Sequence, residues 1–502
     1  MGIKALAAKA LAKYVIAARN RQYSNPVKLQ LETLQSLLGA ARNTGFGKEH
    51  HFSELHSPEE YRQAVPVRDY EQFKPYLERL LLKGENNVLW PGRPLYLCKS
   101  SGTTSGVKLI PLSRESMPNH IQSARNALLS YIHDSGKASF VDGKMIFLQG
   151  SPVLDPHYPS GIPMGRLSGI VANHVPAYLQ KNRMPSFAVN SVEDWESKVD
   201  AIVEETLQKD MRLISGIPAW VQMYFEKLLL RSGKATIREV FPNFSLFVYG
   251  GVNFDPYRPK FRTLIGGDVP SVEVYPASEG FIAYQDSQRE EGMLLVLNGG
   301  IYFEFIPTSQ LFEANPPRLN IGEVKTGQNY AILLTTNAGL WSYLIGDTVK
   351  FVSLSPPRII VSGRISHYTS AFGEHVIAEE VERAMKKAMD VCPAEINEFT
   401  VAPQVQPVEG LPYHEWLVEF SKPPENLELF AASLDRFMQE QNIYYRDLIK
   451  GKVLRPLVLR PLSCGAFNAY MASVGKLGGQ NKTPRLSNDR KIAEFLLREF
   501  SA

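Results

Sequence analysis

Between two strand-like pieces, PLYLC and KLIPL, the chain runs Ser100-Ser101-Gly102-Thr103-Thr104-Ser105-Gly106-Val107-Lys108. Small and hydroxyl residues in unbroken succession, followed by a lysine, suit a polyphosphate. Glycines let backbone N–H groups approach, hydroxyls donate to phosphate oxygens, and the cation offsets charge. The spacing is not that of a Walker A loop, because only three residues separate Gly102 from Gly106 and Lys108 does not follow the second glycine directly. A flexible Ser/Gly linker has similar composition, yet linkers rarely join two hydrophobic strands.

Two later segments carry acidic groups at the ends of apolar runs. In Val272-Glu273-Val274-Tyr275-Pro276-Ala277-Ser278-Glu279-Gly280 a strand ends in a turn that presents a hydroxyl and a carboxylate. Set opposite the hydroxyl-rich loop, Glu279 would hold Mg²⁺, a hard cation that takes oxygen ligands while bridging phosphates. Taken alone, a Ser-Glu pair at a strand end is an ordinary turn. In Gly339-Leu340-Trp341-Ser342-Tyr343-Leu344-Ile345-Gly346-Asp347-Thr348-Val349 a Gly-Asp break separates two strand-like pieces. An aspartate there can accept both hydroxyls of a ribose, although Gly-Asp is equally the sequence of a hairpin turn.

The elements that must position these groups follow from hydrophobic periodicity. From Pro26 to Leu82 apolar residues return every three or four positions, as in covering helices. Beyond Pro94 short apolar runs closed by Gly and Pro alternate with amphipathic helices near 114–134, 192–209 and 217–233, which argues for an α/β body with substantial parallel sheet. After Ser362-Gly363-Arg364 the order helix, strand, strand, helix, strand describes a smaller α+β unit. The expected organisation is therefore a 1–364 domain, a hinge close to Arg364, and a mobile 365–502 domain, in keeping with a length that usually splits into two cores.

Composition narrows the partners. With 55 Lys plus Arg against 51 Asp plus Glu, the charge of +4 is too small to suggest a nucleic-acid partner. Cys98, Cys392 and Cys464 are odd in number and widely spaced, so neither a disulfide framework nor a zinc site is indicated, and a reducing cytosol fits. The first twenty residues read as an amphipathic helix with an apolar stripe at Ile3, Leu6, Ala10 and Tyr14, docked on the protein's own body rather than on a membrane. No segment reads as a membrane span. His50, His51, His367 and His375 form no metal-type cluster and are read as surface or helix-cap histidines, and no G-x-S-x-G elbow is present.

The order of a Ser/Thr/Gly loop, a Tyr-x-x-Ser-Glu turn, a Gly-Asp turn and a Gly-Arg hinge resembles the adenylate-forming superfamily of acyl-CoA synthetases and luciferases. Within it the chain is most similar to the plant acyl-acid amido synthetases, the auxin-responsive-promoter (Gretchen Hagen three) family. The likeness runs from about Pro94 onward through SSGTTSGVKLIPL, VYGGV, YPASEG, YFEFIP, LLTTNAGLWSYLIGD and NKTPR. YFEFIP and NKTPR point to the amide-forming branch. The resemblance implies ATP and Mg²⁺ as cofactors, a small carboxylic acid and an amine of the amino-acid kind as partners, and formation of an acyl-AMP followed by an amide. It places Ser100, Ser101, Gly102, Thr103, Thr104, Gly106 and Lys108 on the ATP phosphates. Gly250, Gly251 and Val252 would line the adenine slot, with Tyr275 on the base, Ser278 near the α-phosphate, Glu279 on Mg²⁺ and Asp347 on the ribose. Arg364 would stand at the hinge and Lys482 would be the lysine that swings into the site. Ser342 and Leu344 depart from the plant pattern, which carries arginines there. The rival readings are an acyl-CoA ligase sharing the first half-reaction and a nucleotide-binding protein without turnover. The acyl pocket would lie between about 115 and 250, with Tyr131, Phe140, Met145, Trp220 and Tyr224 as walls or as ordinary core.

Overall fold

The computed structural model describes the chain except residues 1, 102–106, 156–159, 176–179, 193, 252–253, 312, 366–375, 377, 406, 451–452, 478–482, 488–489 and 501–502. It divides into two compact units, Met1–Gly251 with Ile265–Val361, and Val252–Leu264 with Ser362–Ala502. The segment from Val252 to Leu264, which sequence order puts inside the first unit, packs with the second. There Lys386 Nζ lies 3.1 Å from Asp255 Oδ2.

Five helices open the first unit: α1 (Ile3–Gln22), α2 (Pro26–Ala41), α3 (Gly45–Glu49), α4 (Pro58–Ala64) and α5 (Tyr70–Leu81). Local chemistry sets their starts. Pro26 occupies the first turn of α2 while the Asn25 side chain accepts from Lys28 N, and Ser57 with Glu60 and Asp69 with Gln72 close capping boxes on α4 and α5. The apolar stripe expected on α1 is corrected. Ile3, Leu6 and Tyr14 are exposed, and the buried face is Ala5, Ala12 and Ile16. Small residues let α1 lie close against the later helix α6 (Met117–Ser135), a preference that hydrophobicity alone does not rank.

The strands of this unit are β1 (Tyr96–Ser101), β2 (Val107–Leu112), β3 (Lys144–Phe147), β4 (Met164–Gly165), β5 (Arg183–Met184), β6 (Met211–Ser215), β7 (Leu246–Gly250), β8 (Ser271–Ala277), β9 (Gly280–Tyr284), β10 (Met293–Leu295), β11 (Ile301–Pro307), β12 (Asn329–Thr336), β13 (Tyr343–Leu354) and β14 (Pro357–Arg364). An eleven-stranded sheet runs β11-β12-β13-β14-β10-β9-β8-β7-β6-β3-β5, and a smaller sheet runs β2-β1-β4. The α/β reading holds. Pairs among β5, β3, β6, β7 and β8 are parallel, whereas β8-β9, β9-β10, β11-β12 and β12-β13 are antiparallel, so the large sheet is mixed.

Polar side chains fasten the early helices to this sheet. Gln30 of α2 donates to the carbonyls of Leu297 and Ile301 and accepts from Phe303 N, while the Tyr23 hydroxyl bridges Leu295 O and Leu297 N. At the β11 end of the sheet Glu304 meets Arg318 in a two-pronged ion pair, with Nε–Oε1 3.0 Å and Nη2–Oε2 2.8 Å. Arg318 also donates to the carbonyls of Arg62 and Val65 and to Ser342 Oγ, and Ser342 in turn donates to Glu304. Glu304 and Arg318 are both buried.

In the second unit β15 (Glu395–Gln404), β16 (Tyr413–Lys422) and β17 (Val458–Leu462) form one sheet, antiparallel and then parallel. The helix Ala378–Val391 buries Val381, Ala384, Met385 and Ala388, and the helix Leu427–Gln441 buries Phe430, Leu434 and Met438. Both sets recur at three or four residues, the spacing of a single helical face. No described helix is long and apolar enough to cross a membrane.

Breaking the buried pair on one side leaves an uncompensated charge in the sheet. Arg318→Met should therefore lower unfolding stability by about 3–5 kcal/mol, and urea titration with Glu304→Gln/Arg318→Met as the comparison should recover part of that loss.

Candidate active site

The β1–β2 hairpin carries the hydroxyl-rich loop at its tip. Ser100 faces Lys108 and Ser101 faces Val107 across an antiparallel ladder, while Gly102, Thr103, Thr104 and Gly106 lie outside the described residues. Lys108 Nζ sits 5.6 Å from the centre of the Tyr70 ring, and the Tyr70 hydroxyl accepts from Leu109 N at 2.9 Å. α5 thereby braces the second strand of the hairpin.

Behind the hairpin, Cys98 ties β1 to the turn after β8. Its thiol donates to Ser278 Oγ over 3.2 Å. Glu279 follows, and Gly280 opens β9 where an added Cβ would fall 2.4 Å from Ile301 Cδ1. The backbone just past it is held by Asn119 of α6, which accepts from Phe281 N at 2.7 Å and donates to Phe281 O. Burial pushes the Cys98 thiol up to about 12, with the nearby Glu279 carboxylate acting in the same direction. Cys98 is therefore a packing and hydrogen-bonding group, not a nucleophile.

The third contributor is β13, and here the structure corrects the expected break. Gly346-Asp347 is not a hairpin turn. β13 continues from Tyr343 to Leu354, with Gly346 at φ 93° and a register shift against β12 between Ala331 and Leu333. Such a bulge re-aims a side chain without ending the strand. Asp347 is buried, and Tyr275 of β8 donates its phenolic proton to Asp347 Oδ2. Tyr343, at the start of the same strand, has a buried hydroxyl with no hydrogen-bond partner among the described residues. Burial first, then Glu279, Tyr70, Asp69 and Asp347, hold that phenol far above its ordinary range.

On the opposite side β7 delivers Gly250 and Gly251. A Cβ on Gly250 would lie 2.3 Å from Val274 O, and Gly251 takes φ 87°, so both positions favour glycine for steric reasons. Val252 and Lys482 lie outside the described residues, as does the side chain of Arg364, whose backbone ends β14. Near Lys482, Arg485 is anchored by Glu382 and Glu398 and lies 4.4 Å from the Phe399 ring centre, while Val401 N donates to Arg485 O. His367 and His375 are also outside the described residues. His50 is a packing group, with Nδ1 2.7 Å from Ala64 O and Nε2 beside Arg68. Tyr131, Phe140 and Tyr224 are buried; Tyr131 and Phe140 pack ring on ring, and Tyr224 shares a hydrogen bond with Thr206, as ordinary core does.

The described site residues of the first unit are thus joined through short links: Cys98 to Ser278, Tyr275 to Asp347, and Gly250 to Val274 by strand register. Sequence reading had missed Cys98, Asn119 and Tyr343. Two-residue alternation along β1 puts Cys98 on the face of Ser100 and was an available signal. Nothing local marks Asn119.

A family model described as the GH3 family N-terminal domain matches residues 16–185 and 164–270, half of the chain. The chain belongs to the GH3 family. The models of the GH3 family central and C-terminal domains match residues 294–364 and 379–491. Among similar proteins are the jasmonoyl–L-amino acid synthetase JAR6 of Nicotiana attenuata, 23% identical over 91% of this chain and 90% of its own length, and the jasmonoyl–L-amino acid synthetase GH3.5 of Oryza sativa subsp. japonica, 24% identical over 94% of each. A solved GH3.15 acyl acid amido synthetase superposes with TM-score 0.80 at 15% identity, covering 97% of this chain and 96% of that one. A 2-hydroxyisobutyryl-CoA ligase in the postadenylation state gives 0.60 at 13% identity over 94% and 91%. These two likenesses are likenesses of fold.

The surroundings of Ser342 bear on the arginines absent from this GH3 chain. Ser342 is fully buried at φ 45°, and its hydroxyl accepts from Arg318, so a cation does reach this strand, supplied from β11's side and neutralised by Glu304.

Two measurements follow. Cys464 is exposed while Cys98 and Cys392 are buried, so a disulfide reagent such as Ellman's at pH 8 should titrate one fast thiol in the native protein and three after unfolding. His120 of α6 is buried with neither ring nitrogen hydrogen-bonded among the described residues, and burial lowers its pKa from 6.5 to about 4. The unfolded chain binds the proton first as pH falls, so stability is intact above 6.5 and declines toward 4. Between pH 7 and 4.5 His120→Leu should lose about 2–3 kcal/mol less than the wild type in urea unfolding.

Proposed function

We propose that this chain is an ATP-dependent acyl-acid amido synthetase, which joins a carboxylic acid to an amino acid through an acyl-adenylate. The observation that supports the reading is the meeting of β1, the β8–β9 turn and β13: Cys98 bonds Ser278, Tyr275 bonds Asp347, and the Glu279 and Asp347 carboxylates both act on the Tyr343 phenol. The names of its GH3 relatives, jasmonoyl– and indole-3-acetic acid-amido synthetases, support the same chemistry.

In the first step a carboxylate oxygen attacks the α-phosphorus of ATP, the bond to the β-phosphate oxygen breaks, and pyrophosphate leaves. Two anions approach one another, so the barrier is chiefly electrostatic. Ser100, Ser101, Gly102, Thr103, Thr104 and Gly106 cradle the phosphates, with Lys108 offsetting charge. Ser278 lies near the α-phosphate. Tyr275 stacks on the base beside Gly250, Gly251 and Val252, and its hydroxyl holds one oxygen of Asp347, leaving the carboxylate oriented for the ribose.

Among the described residues no group of three or more His, Cys, Asp or Glu side chains gathers to cage an ion. The buried Glu279 carboxylate is an oxygen donor of the kind Mg²⁺ takes, an ion commonly held through one or two carboxylates plus substrate phosphates. Glu279 would hold it, and the Tyr343 hydroxyl nearby, without a hydrogen-bond partner among the described residues, is a polar group a ligand would satisfy. Bound there, Mg²⁺ would supply charge neutralisation on the phosphates.

In the second step the lone pair of a neutral amine attacks the acyl carbon, the nitrogen–carbon bond forms, AMP departs with the acyl oxygen, and the amine proton passes to solvent. Lys482 and the hinge at Arg364 belong to this cycle: a C-terminal domain that closes over ATP and then turns would present first the lysine and then the acceptor site.

The test is acid-dependent exchange of labelled pyrophosphate into ATP over a library of jasmonate-like, indolic and benzoic acids, then product scoring with amino acids or CoA as acceptor. Glu279→Ala and Lys482→Ala should each lower exchange by roughly 100-fold or more. Exchange undiminished in both would remove these residues from the site, and acid-dependent consumption of CoA in place of amino acids would move the chain to the thioester-forming class.

A further inference from the structure

Arg166 follows Gly165 of β4, whose register partner across the parallel pair is Cys98. It therefore stands at the edge of β1 opposite to β2, in the order β2-β1-β4. Its aliphatic stem lies over Gly150, where an added Cβ would come within 2.7 Å of Arg166 Cδ. The guanidinium is half-buried and makes no hydrogen bond or ion pair with the described residues. Its electrostatic neighbours are the Cys98 thiol and the ammonium of Lys198, itself donating to Gln149 O at 3.1 Å and Asn190 O at 2.6 Å. No carboxylate is among them. Burial without a counter-charge lowers the Arg166 pKa.

A desolvated guanidinium beside a second cation is costly to keep unless an anion arrives. The planar fork of arginine matches an oxyanion in two-pronged fashion. Three oxyanions visit an enzyme of this kind. The acyl carboxylate loses its charge on adenylation, so gripping it would hold the ground state. The nucleotide phosphates belong to the hairpin tip between β1 and β2. The carboxylate of an amino-acid acceptor keeps its charge through acyl transfer, and a site on the β4 edge leaves the hairpin tip to ATP.

We propose that Arg166 receives the carboxylate of the amine acceptor, an α-amino acid, in a subsite on the β4 side of β1, close to the Cys98–Ser278 contact. This rests on the acyl-transfer reading above and adds to it the group that selects amino acids over simple amines. Lys198 raises the local positive potential, and Gly150 leaves room for the arginine stem.

The experiment compares wild type, Arg166→Met and Arg166→Lys with a panel of L-amino acids and the matching L-amino-acid amides, which keep the nucleophilic amine and lack the carboxylate. Acid-dependent pyrophosphate exchange is measured alongside, and melting temperature checks folding. Arg166→Met is expected to leave exchange within about twofold, to lower kcat/KM for amino acids by roughly 10- to 100-fold, mainly through KM, and to change little with the amides. Arg166→Lys should fall between. Equal losses with amino acids and amides would overturn the assignment. So would a parallel fall in exchange, which would give the guanidinium to the nucleotide phosphate. Absence of acid-dependent exchange in the wild type would instead overturn the adenylation reading, and this proposal with it.

Discussion

A buried carboxylate inside a β-strand has to be satisfied, and around Asp347 that requirement organises the first unit. The aspartate stays inside because Tyr275 from β8 donates to it, and β8 stays in register because Gly250 admits the Val274 carbonyl at close range. The same β8, at its far end, leads into Ser278, whose hydroxyl accepts a hydrogen bond from the Cys98 thiol of β1. One strand thus links two partners that are 249 positions apart in numbering, Cys98 and Asp347. In low dielectric each of these contacts is expensive to lose, so the strand ends are held together by polar satisfaction as well as by apolar packing.

Charge is handled in two contrasting ways within this sheet. Glu304 is neutralised at once by the fork of Arg318 and accepts from Ser342, while two carbonyls accept from the remaining face of the guanidinium. Such a closed network has nothing left to offer a ligand. The Glu279, Asp347 and Tyr343 neighbourhood is open in that sense, since the phenol lacks a partner among the described residues and faces carboxylates that raise its proton affinity. Closed networks support structure and open ones bind, a distinction that burial alone does not draw. YFEFIP is an instance: a motif that marks the amide-forming branch by resemblance contains, in Glu304, a carboxylate committed to the fold.

Much of the architecture was legible because periodicity reports burial. The helices near 114–134, 192–209 and 217–233 correspond to Met117–Ser135, Trp195–Thr206 and Pro218–Ser232. The α1 stripe failed for an instructive reason. Hydrophobicity ranks Ile3, Leu6 and Tyr14 above Ala5 and Ala12, yet close helix packing selects small residues when the partner helix approaches along its length. The parallel emphasis of the large sheet was half right, because antiparallel partners such as β9 and β12 bury both faces here and carry the same continuous apolar pattern as parallel strands.

By itself the sequence determined the chemistry on offer: a hydroxyl-rich loop flanked by strands, a Ser-Glu turn, a Gly-Asp pair and a smaller C-terminal body. Those are matters of residue type and short-range spacing, which local backbone preference and amphipathic pattern express directly. Only the tertiary structure decided that Gly346 bends a continuous strand instead of closing a hairpin, that Val252–Leu264 packs with the second unit, that Cys98 and Asn119 hold the same turn, and that Arg166 stands beside Cys98. Contacts of that kind join residues far apart in the chain, and their energies depend on which groups are desolvated together, a quantity that no local window of sequence contains.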